Sequence, residues 1–187
     1  MAAAAEPADG AEVAADATAL TIDDLLGLPE SVTLEFKATF RHNLHTAKRD
    51  EALELEVAKS VAGFMNSRRG GTLLIGVLDD GALRGDAKVR GLAEDIALCG
   101  NRGIDGFENT LMTILDRAIG KVATAGLDVC FESRGGRDLC RVDAPAADRP
   151  AFVDWKGNQL FFVRMGNTTR QFGIADAVDY IRRRFGS

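Results

Sequence analysis

The stretch from residue 50 to residue 77 constrains the fold of this chain more than any other. Leu53, Val57, Val61 and Phe64 recur at helical spacing across residues 50–65, so one stripe of a helix must face a core. Asp50 stands where its carboxylate would accept from the first unpaired amides of that helix. Asn66 and Ser67 end the pattern, Gly70 and Gly71 turn the chain, and residues 72–77 follow as a continuous apolar run. A strand with no polar alternation is one covered on both faces. A helix passed through a glycine turn to such a strand implies helices layered on a sheet, which is an α/β or α+β domain.

The flanking segments fill in that frame. Thr21 and Asp23 would cap a short turn through Leu28, which Pro29 stops. Val32, Leu34 and Phe36 alternate with Thr33, Glu35 and Lys37, predicting a strand with one buried face and Glu35 on the other. Asp79 lies just past the apolar run, and Asp80-Gly81 is a favourable hairpin turn into Ala82, Leu83 and Arg84. Asp105 and Glu108 have the spacing of a capping box before a second helix, whose stripe includes Phe107, Leu111, Ile114, Leu115 and Ala118, ending at Gly120. Residues 127–132, 138–143, 151–155 and 159–164 read as a strand meander, and 166–170 as a polar loop rich in donors. Ile174, Ala177, Val178, Ile181 and Phe185 mark a terminal helix with Arg182, Arg183 and Arg184 in its last turn, where cations favour the macrodipole. The expectation is one domain over residues 21–187, with a mixed, largely antiparallel sheet and about three helices, after a disordered Ala-rich acidic tail at residues 1–20.

Composition narrows the function classes. Apolar residues make up 46% of the chain without any run near the ~20 residues of a membrane span, so a folded, non-membrane, cytoplasmic protein is expected. Cys99, Cys130 and Cys140 form no C-x-x-C pair, and reduced thiols are the expected state, with a disulfide across the Cys130–Cys140 hairpin as the alternative. A formal charge of −5 argues against a generic nucleic-acid coat, so any polyanion site must be local. No P-loop, G-x-G-x-x-G turn or H-E-x-x-H helix is present. His42 and His45 have no evident nucleophile beside them, and as a pair they read as a solvated loop or a metal pair.

Three carboxylates carry the most chemistry. If Glu30 sits in the turn before the first strand and Asp79 at a neighbouring strand end, both meet Glu35 at one rim of the sheet. Converging carboxylates repel unless a cation neutralises them, and oxygen ligands at one edge suit Mg²⁺ or Mn²⁺, which could bridge a phosphodiester and activate water. The plain alternative is a surface ion pair between Glu35 and Lys37, with Asp79 belonging to a turn. Gly70-Gly71 would admit a phosphate or serve its own turn geometry, and Arg68 and Arg69 beside it would bind phosphate or be solvated charge.

Glu30-Ser31-x-x-Leu34-Glu35-Phe36-Lys37, Phe64-Met65-Asn66-Ser67, Gly70-Gly71-Thr72-Leu73-Leu74-Ile75-Gly76-Val77 and Asp79-Asp80-Gly81 together resemble the Schlafen AlbA-type domain. The likeness continues through Asp105-Gly106-Phe107-Glu108, Cys140-Arg141-Val142, Phe161-Phe162-Val163-Arg164 and Gly166-Asn167-Thr168-Thr169-Arg170, covering about residues 28–185. In animal Schlafen proteins such a domain is a metal-dependent endoribonuclease acting on tRNA and rRNA. The resemblance therefore implies Glu30, Glu35 and Asp79 as catalytic and metal-holding residues with Mg²⁺ or Mn²⁺. It also implies Lys37, Arg41, Arg68, Arg69, Arg164 and Arg170 as contacts to a tRNA-like RNA or to DNA. Bacterial relatives are variously described as DNA-, RNA- or ATP-binding, so a non-catalytic nucleic-acid-binding or nucleotide-binding regulator is the alternative. Leu78 stands where the family often has an acid, and Arg68-Arg69 includes one residue more than the family spacing. The animal nuclease joins two such lobes around its RNA; a homodimer of this chain would recreate that cleft.

Overall fold

A computed structural model describes residues 20–100 and 102–186. Apart from Leu20, the segment read as a disordered tail lies outside the described residues. The first helix, α1 (Ile22–Gly27), is capped reciprocally: the Thr21 hydroxyl accepts from the Asp24 amide at 3.2 Å, and the Asp24 carboxylate accepts from the Thr21 amide at 3.1 Å. The chain then forms β1 (Leu34–Lys37), a small hairpin of β2 (His42–Asn43) and β3 (Lys48–Arg49), helix α2 (Glu51–Asn66), and β4 (Gly71–Ile75). Asp50 caps α2 as its position suggests, accepting from the Ala52 amide at 2.9 Å.

Helices α3 (Ala93–Ala97), α4 (Gly103–Ile119) and α5 (Lys121–Thr124) precede the strands β5 (Asp128–Arg134), β6 (Arg137–Ala144), β7 (Phe152–Trp155), β8 (Asn158–Met165) and β9 (Thr168–Phe172), and α6 (Ile174–Phe185) follows them. The central sheet has the order β1-β4-β6-β5, with β1 parallel to β4 and the other pairs antiparallel. A second, antiparallel sheet runs β7-β8-β9. The fold is therefore mixed α+β, largely antiparallel, with a single parallel pair at one edge of the central sheet.

The unbroken apolar run in β4 has a direct cause. Leu73 and Ile75 enter a core with Val57, Val61 and Phe64 of α2 and Phe107, Leu111 and Leu115 of α4. Leu74 points the other way, into a core that α1 closes with Ile22, Leu25 and Leu26. Helix α2 is shared by both sheets, and Asn66 at its end fastens the second one. The Asn66 side chain is fully buried, donates to the carbonyls of Ala151 and Phe162 at 2.8 Å each, and accepts from the Ala151 amide at 2.8 Å. Helix α6 lies on the second sheet through Ala177, Tyr180, Ile181 and Phe185.

Several local expectations change. The meander splits between two sheets, because Asn66 and the turn at residues 145–151 redirect the chain after β6. The polar loop at 166–170 is mostly strand: Gly166, with φ +63°, turns β8 into β9, and Met165 pairs with Thr168. Helix α4 starts at Gly103, so Asp105 lies in its first turn and Arg102 precedes it with no side-chain cap. Among the described residues there are six helices rather than about three; α1, α3 and α5 are too short to leave a periodic signature. Cys130 stands opposite Arg141 and Cys140 opposite Phe131, so alternation sends the two thiols to opposite faces and all three cysteines are free. Among the described residues, no helix is long and apolar enough to cross a membrane.

Candidate functional site

Strand β1 is an edge strand, and an edge leaves outward-facing amides and carbonyls without a ladder partner. Side chains satisfy them here. After Pro29 the chain turns back, Ser31 donating to the Leu34 carbonyl at 2.9 Å, and this brings the Glu30 carboxylate onto the Phe36 amide at 2.9 Å. Arg164, reaching over from β8, donates to the carbonyls of Leu34 at 2.9 Å and Ser31 at 2.6 and 3.0 Å. Glu30 and Arg164 therefore close the free edge of β1 in place of a neighbouring strand.

Glu35 is not the surface residue that strand alternation alone implies. It is buried, with Lys37 Nζ at 2.5 Å from one carboxylate oxygen and the Arg164 guanidinium bonded to the other. Arg164 is 4% exposed, and it also packs over the Phe64 ring with 5.3 Å to the centroid. The ion pair foreseen between Glu35 and Lys37 is present, but a buried arginine completes it. Asp79 is exposed just beyond β4, at the start of a loop closed by the Val77–Val89 bridge and by Leu78 donating to the Lys88 carbonyl at 2.9 Å.

The electrostatics show that the three carboxylates share one rim. Burial pushes the Glu30 carboxyl above its ordinary value; the Phe36 amide opposes this, while the negative charges of Glu35 and Asp79 add to it. Lys88 is the cation that sequence reading missed, since a lone lysine between Ala87 and Val89 has no local signature. It is buried, donates to the Leu28 carbonyl at 2.9 Å and lies 4.5 Å from the centre of the Phe36 ring. Burial and the charge of Arg84 lower its pKa, partly countered by Asp79 and Glu30. The rim thus interleaves Glu30, Glu35 and Asp79 with Lys37, Lys88 and Arg164.

That arrangement does not fit a divalent cation as the side chains stand. Both Glu35 oxygens are engaged by cations, one Glu30 oxygen holds a backbone amide, and Leu78 adds no ligand. Among the described residues, no three His, Cys, Asp or Glu side chains are grouped so as to hold a metal ion, including around His42 and His45.

The cations expected to meet phosphate separate into two kinds. Arg164 and Arg41 are buried with their donors committed, which corrects their reading as surface contacts. Arg41 bonds Glu54 at 2.6 and 3.0 Å and the Leu98 carbonyl at 3.1 Å. Arg68, Arg69 and Arg170 are exposed, Arg170 on β9. The turn carrying Arg68 and Arg69 uses its glycines for its own geometry: Gly70 has φ +70°, and a Cβ there would meet the Ala144 carbonyl at 2.5 Å.

This turn has an unforeseen neighbour, the end of α6. Tyr180 donates to the Asn66 carbonyl at 2.8 Å, Arg184 to the carbonyls of Ser67 at 3.1 and 3.2 Å and Ala147 at 2.8 Å, and Arg68 to the Arg183 carbonyl at 3.4 Å. The turn carrying the exposed Arg68 and Arg69 is thereby held against the last turn of α6, where Arg182 and Arg183 are exposed, from segments over 110 positions apart.

The Schlafen, AlbA_2 family model matches residues 30–173, from Glu30 to the residue before α6. The chain belongs to the Schlafen AlbA_2 family. Membership implies a nucleic-acid-related function, and α6, with Arg182, Arg183 and Arg184, lies beyond the matched residues of this AlbA_2 domain. A similar solved structure is that of the DIP2311 protein from Corynebacterium diphtheriae, 19% identical, with a TM-score of 0.55. The match covers 83% of this chain and 28% of that one, and it shows a shared fold. No curated protein matches the AlbA_2 domain described here.

Proposed function

We propose that this AlbA_2 domain binds nucleic acid through backbone phosphates at the arginine patch where α6 meets the α2–β4 turn. The observation that carries the reading is the docking of α6, which sets its last turn, with Arg182 and Arg183 exposed, against the turn that carries the exposed Arg68 and Arg69, in a chain whose net charge is −5. Exposed arginines brought near one another attract a polyanion locally even in an acidic protein, and phosphate contacts dominate nucleic-acid affinity. RNA is the preferred strand under this proposal, carried over from the Schlafen resemblance. In this reading the rim, its cations already committed to carboxylates and carbonyls, seals the β1 edge and leaves the strand to the patch.

Fluorescence anisotropy with a labelled tRNA-like hairpin and a labelled single-stranded DNA, across a salt series, tests this. Replacing Arg68, Arg69 and Arg183 together by glutamine should weaken binding and lower the log–log salt slope by about three. An unchanged slope refutes the patch.

A second reading, an endoribonuclease centred on Glu30, Glu35 and Asp79, is favoured by one observation: burial pushes the Glu30 carboxyl up, and the charges of both partners add to it. Asp79→Ala is the clean probe, because Asp79 is exposed and makes no hydrogen bond among the described residues. Incubation with tRNA should show cleavage in Mn²⁺ that EDTA and Asp79→Ala each abolish; cleavage retained in the variant removes the rim from the chemistry.

A further inference from the structure

Away from both the rim and the α6 patch, a groove runs beside α4. It consists of two adjoining cavities that share Arg49, Ile114 and Arg117 as walls. The first, about 650 Å³, is ringed by Arg41, Arg49, Arg102 and Arg117. The second, about 630 Å³, has Ile114, Ala118 and Trp155 as apolar wall, with Lys156 beside them. Each lies in the size range of small-molecule sites.

The charge of the first lobe is unbalanced. Glu54 is the carboxylate that serves it, bonded by Arg41 at 2.6 and 3.0 Å and by Arg49 at 2.8 and 3.1 Å. Arg102 and Arg117 are exposed and have neither an ion-pair nor a hydrogen-bond partner among the described residues. Glu54, with Glu51 3.8 Å from the Arg49 guanidinium, therefore pre-positions Arg49, and Arg41 stays committed behind it, while Arg102 and Arg117 face the same space uncompensated. The polar face of α4 adds Thr110 and Thr113, whose hydroxyls donate at 2.7 Å to the carbonyls of Gly106 and Asn109 and so present acceptors only, which suits a ribose hydroxyl and leaves the phosphates to the arginines.

The second lobe differs in kind. Trp155 is half-buried at the end of β7, and the Lys156-Gly157 turn that follows has φ of +51° and +80°, the left-handed pair of a tight hairpin. An indole and an isoleucine beside acidic side chains, Asp154 and Glu51, offer a stacking surface with hydrogen-bond acceptors at its margin.

We propose that this groove is a binding site for a nucleoside phosphate, its phosphates in the arginine lobe and its base against Trp155. The site does not depend on the α6 patch, so the two readings fail separately. A free nucleotide and the 5′-phosphorylated end of a strand present the same chemistry. Calorimetric titration of the full chain with ATP, adenosine, pyrophosphate and a 5′-phosphorylated trinucleotide resolves them. ATP or the trinucleotide should saturate a single site, and whichever binds more tightly identifies the source. Adenosine and pyrophosphate should each bind at least roughly tenfold more weakly, since each fills one lobe.

Arg102→Gln with Arg117→Gln should weaken the phosphorylated ligands by roughly 100-fold. Both side chains are exposed, and an unchanged thermal melt would confirm that the fold is retained. Trp155 is the chain's single tryptophan, so its fluorescence should respond to the same titration. Absence of saturable binding by both phosphorylated ligands overturns the proposal. Affinity unchanged in the double variant, or pyrophosphate binding as tightly as ATP, overturns it equally.

Discussion

Arg164→Met removes the guanidinium that joins β8 to the free edge of β1 while keeping much of its aliphatic volume. It leaves the Glu35 carboxylate, 6% exposed, with Lys37 as its remaining cation, and orphans the Ser31 carbonyl. Breaking a buried pair from one side costs about 3–5 kcal/mol, and an unsatisfied carbonyl adds about 1 kcal/mol. Lys37 is a quarter exposed and stays in contact, which offsets part of this, so a loss of about 4 kcal/mol is expected. Over a domain of this size, that lowers the melting temperature by about 8–16 °C. Urea unfolding of wild type, Arg164→Met, Glu35→Gln and the double variant provides the measurement. Removing both charges should be milder than the sum of the singles by at least about 1 kcal/mol, because the double variant buries no unpaired charge. A cost under about 1 kcal/mol for Arg164→Met, or strict additivity, would refute the view that the rim is held together by this pair.

Two carboxylates should respond to pH in opposite senses. Burial raises the Glu54 carboxyl, but hydrogen bonds and charges from Arg49 and Arg41 outweigh it and hold the group below its ordinary value of 4.5. Its contribution is therefore present above that value and lost as pH falls through the folded pKa; Glu54→Gln should cost about 3 kcal/mol at neutral pH, a deficit that shrinks in acid urea melts. Glu30, held above 4.5, is protonated more readily in the folded state, so ionisation at neutral pH opposes folding. Glu30→Gln keeps an acceptor for the Phe36 amide and should stabilise the domain at neutral pH, with the gain disappearing as pH falls through the raised pKa. Asn66→Leu breaks three buried hydrogen bonds and should cost about 3 kcal/mol, with hydrogen exchange rising first in β7 and β8. Gly71→Ala places a methyl 2.3 Å from the Phe64 ring and should cost about 2 kcal/mol in the same unfolding assay.

The parts of the fold legible in the sequence were those whose signal is local and repeated. Helix α2 announced itself by Leu53, Val57, Val61 and Phe64, and β4 by an apolar run that two cores cover. Strand β9 did not, because Thr168-Thr169-Arg170-Gln171 has no apolar alternation and forms through its ladder with β8. The short helices α3 and α5 are likewise made by their surroundings. At the rim, Glu30 and Asp79 were legible as residues near strand ends, whereas Lys88 was not.

What the sequence by itself determined was the order of the main elements and the family. What the tertiary structure alone decided was the role of each charge. Arg164 lies 129 positions from Glu35, and Arg183 lies 115 from Arg68. Periodicity reports which face of its own element a side chain occupies. Whether that side chain is a neutralised partner or a free cation depends on what the fold brings against that face. The same residue type is thus a buried clamp at Arg164 and a solvent-exposed charge at Arg69.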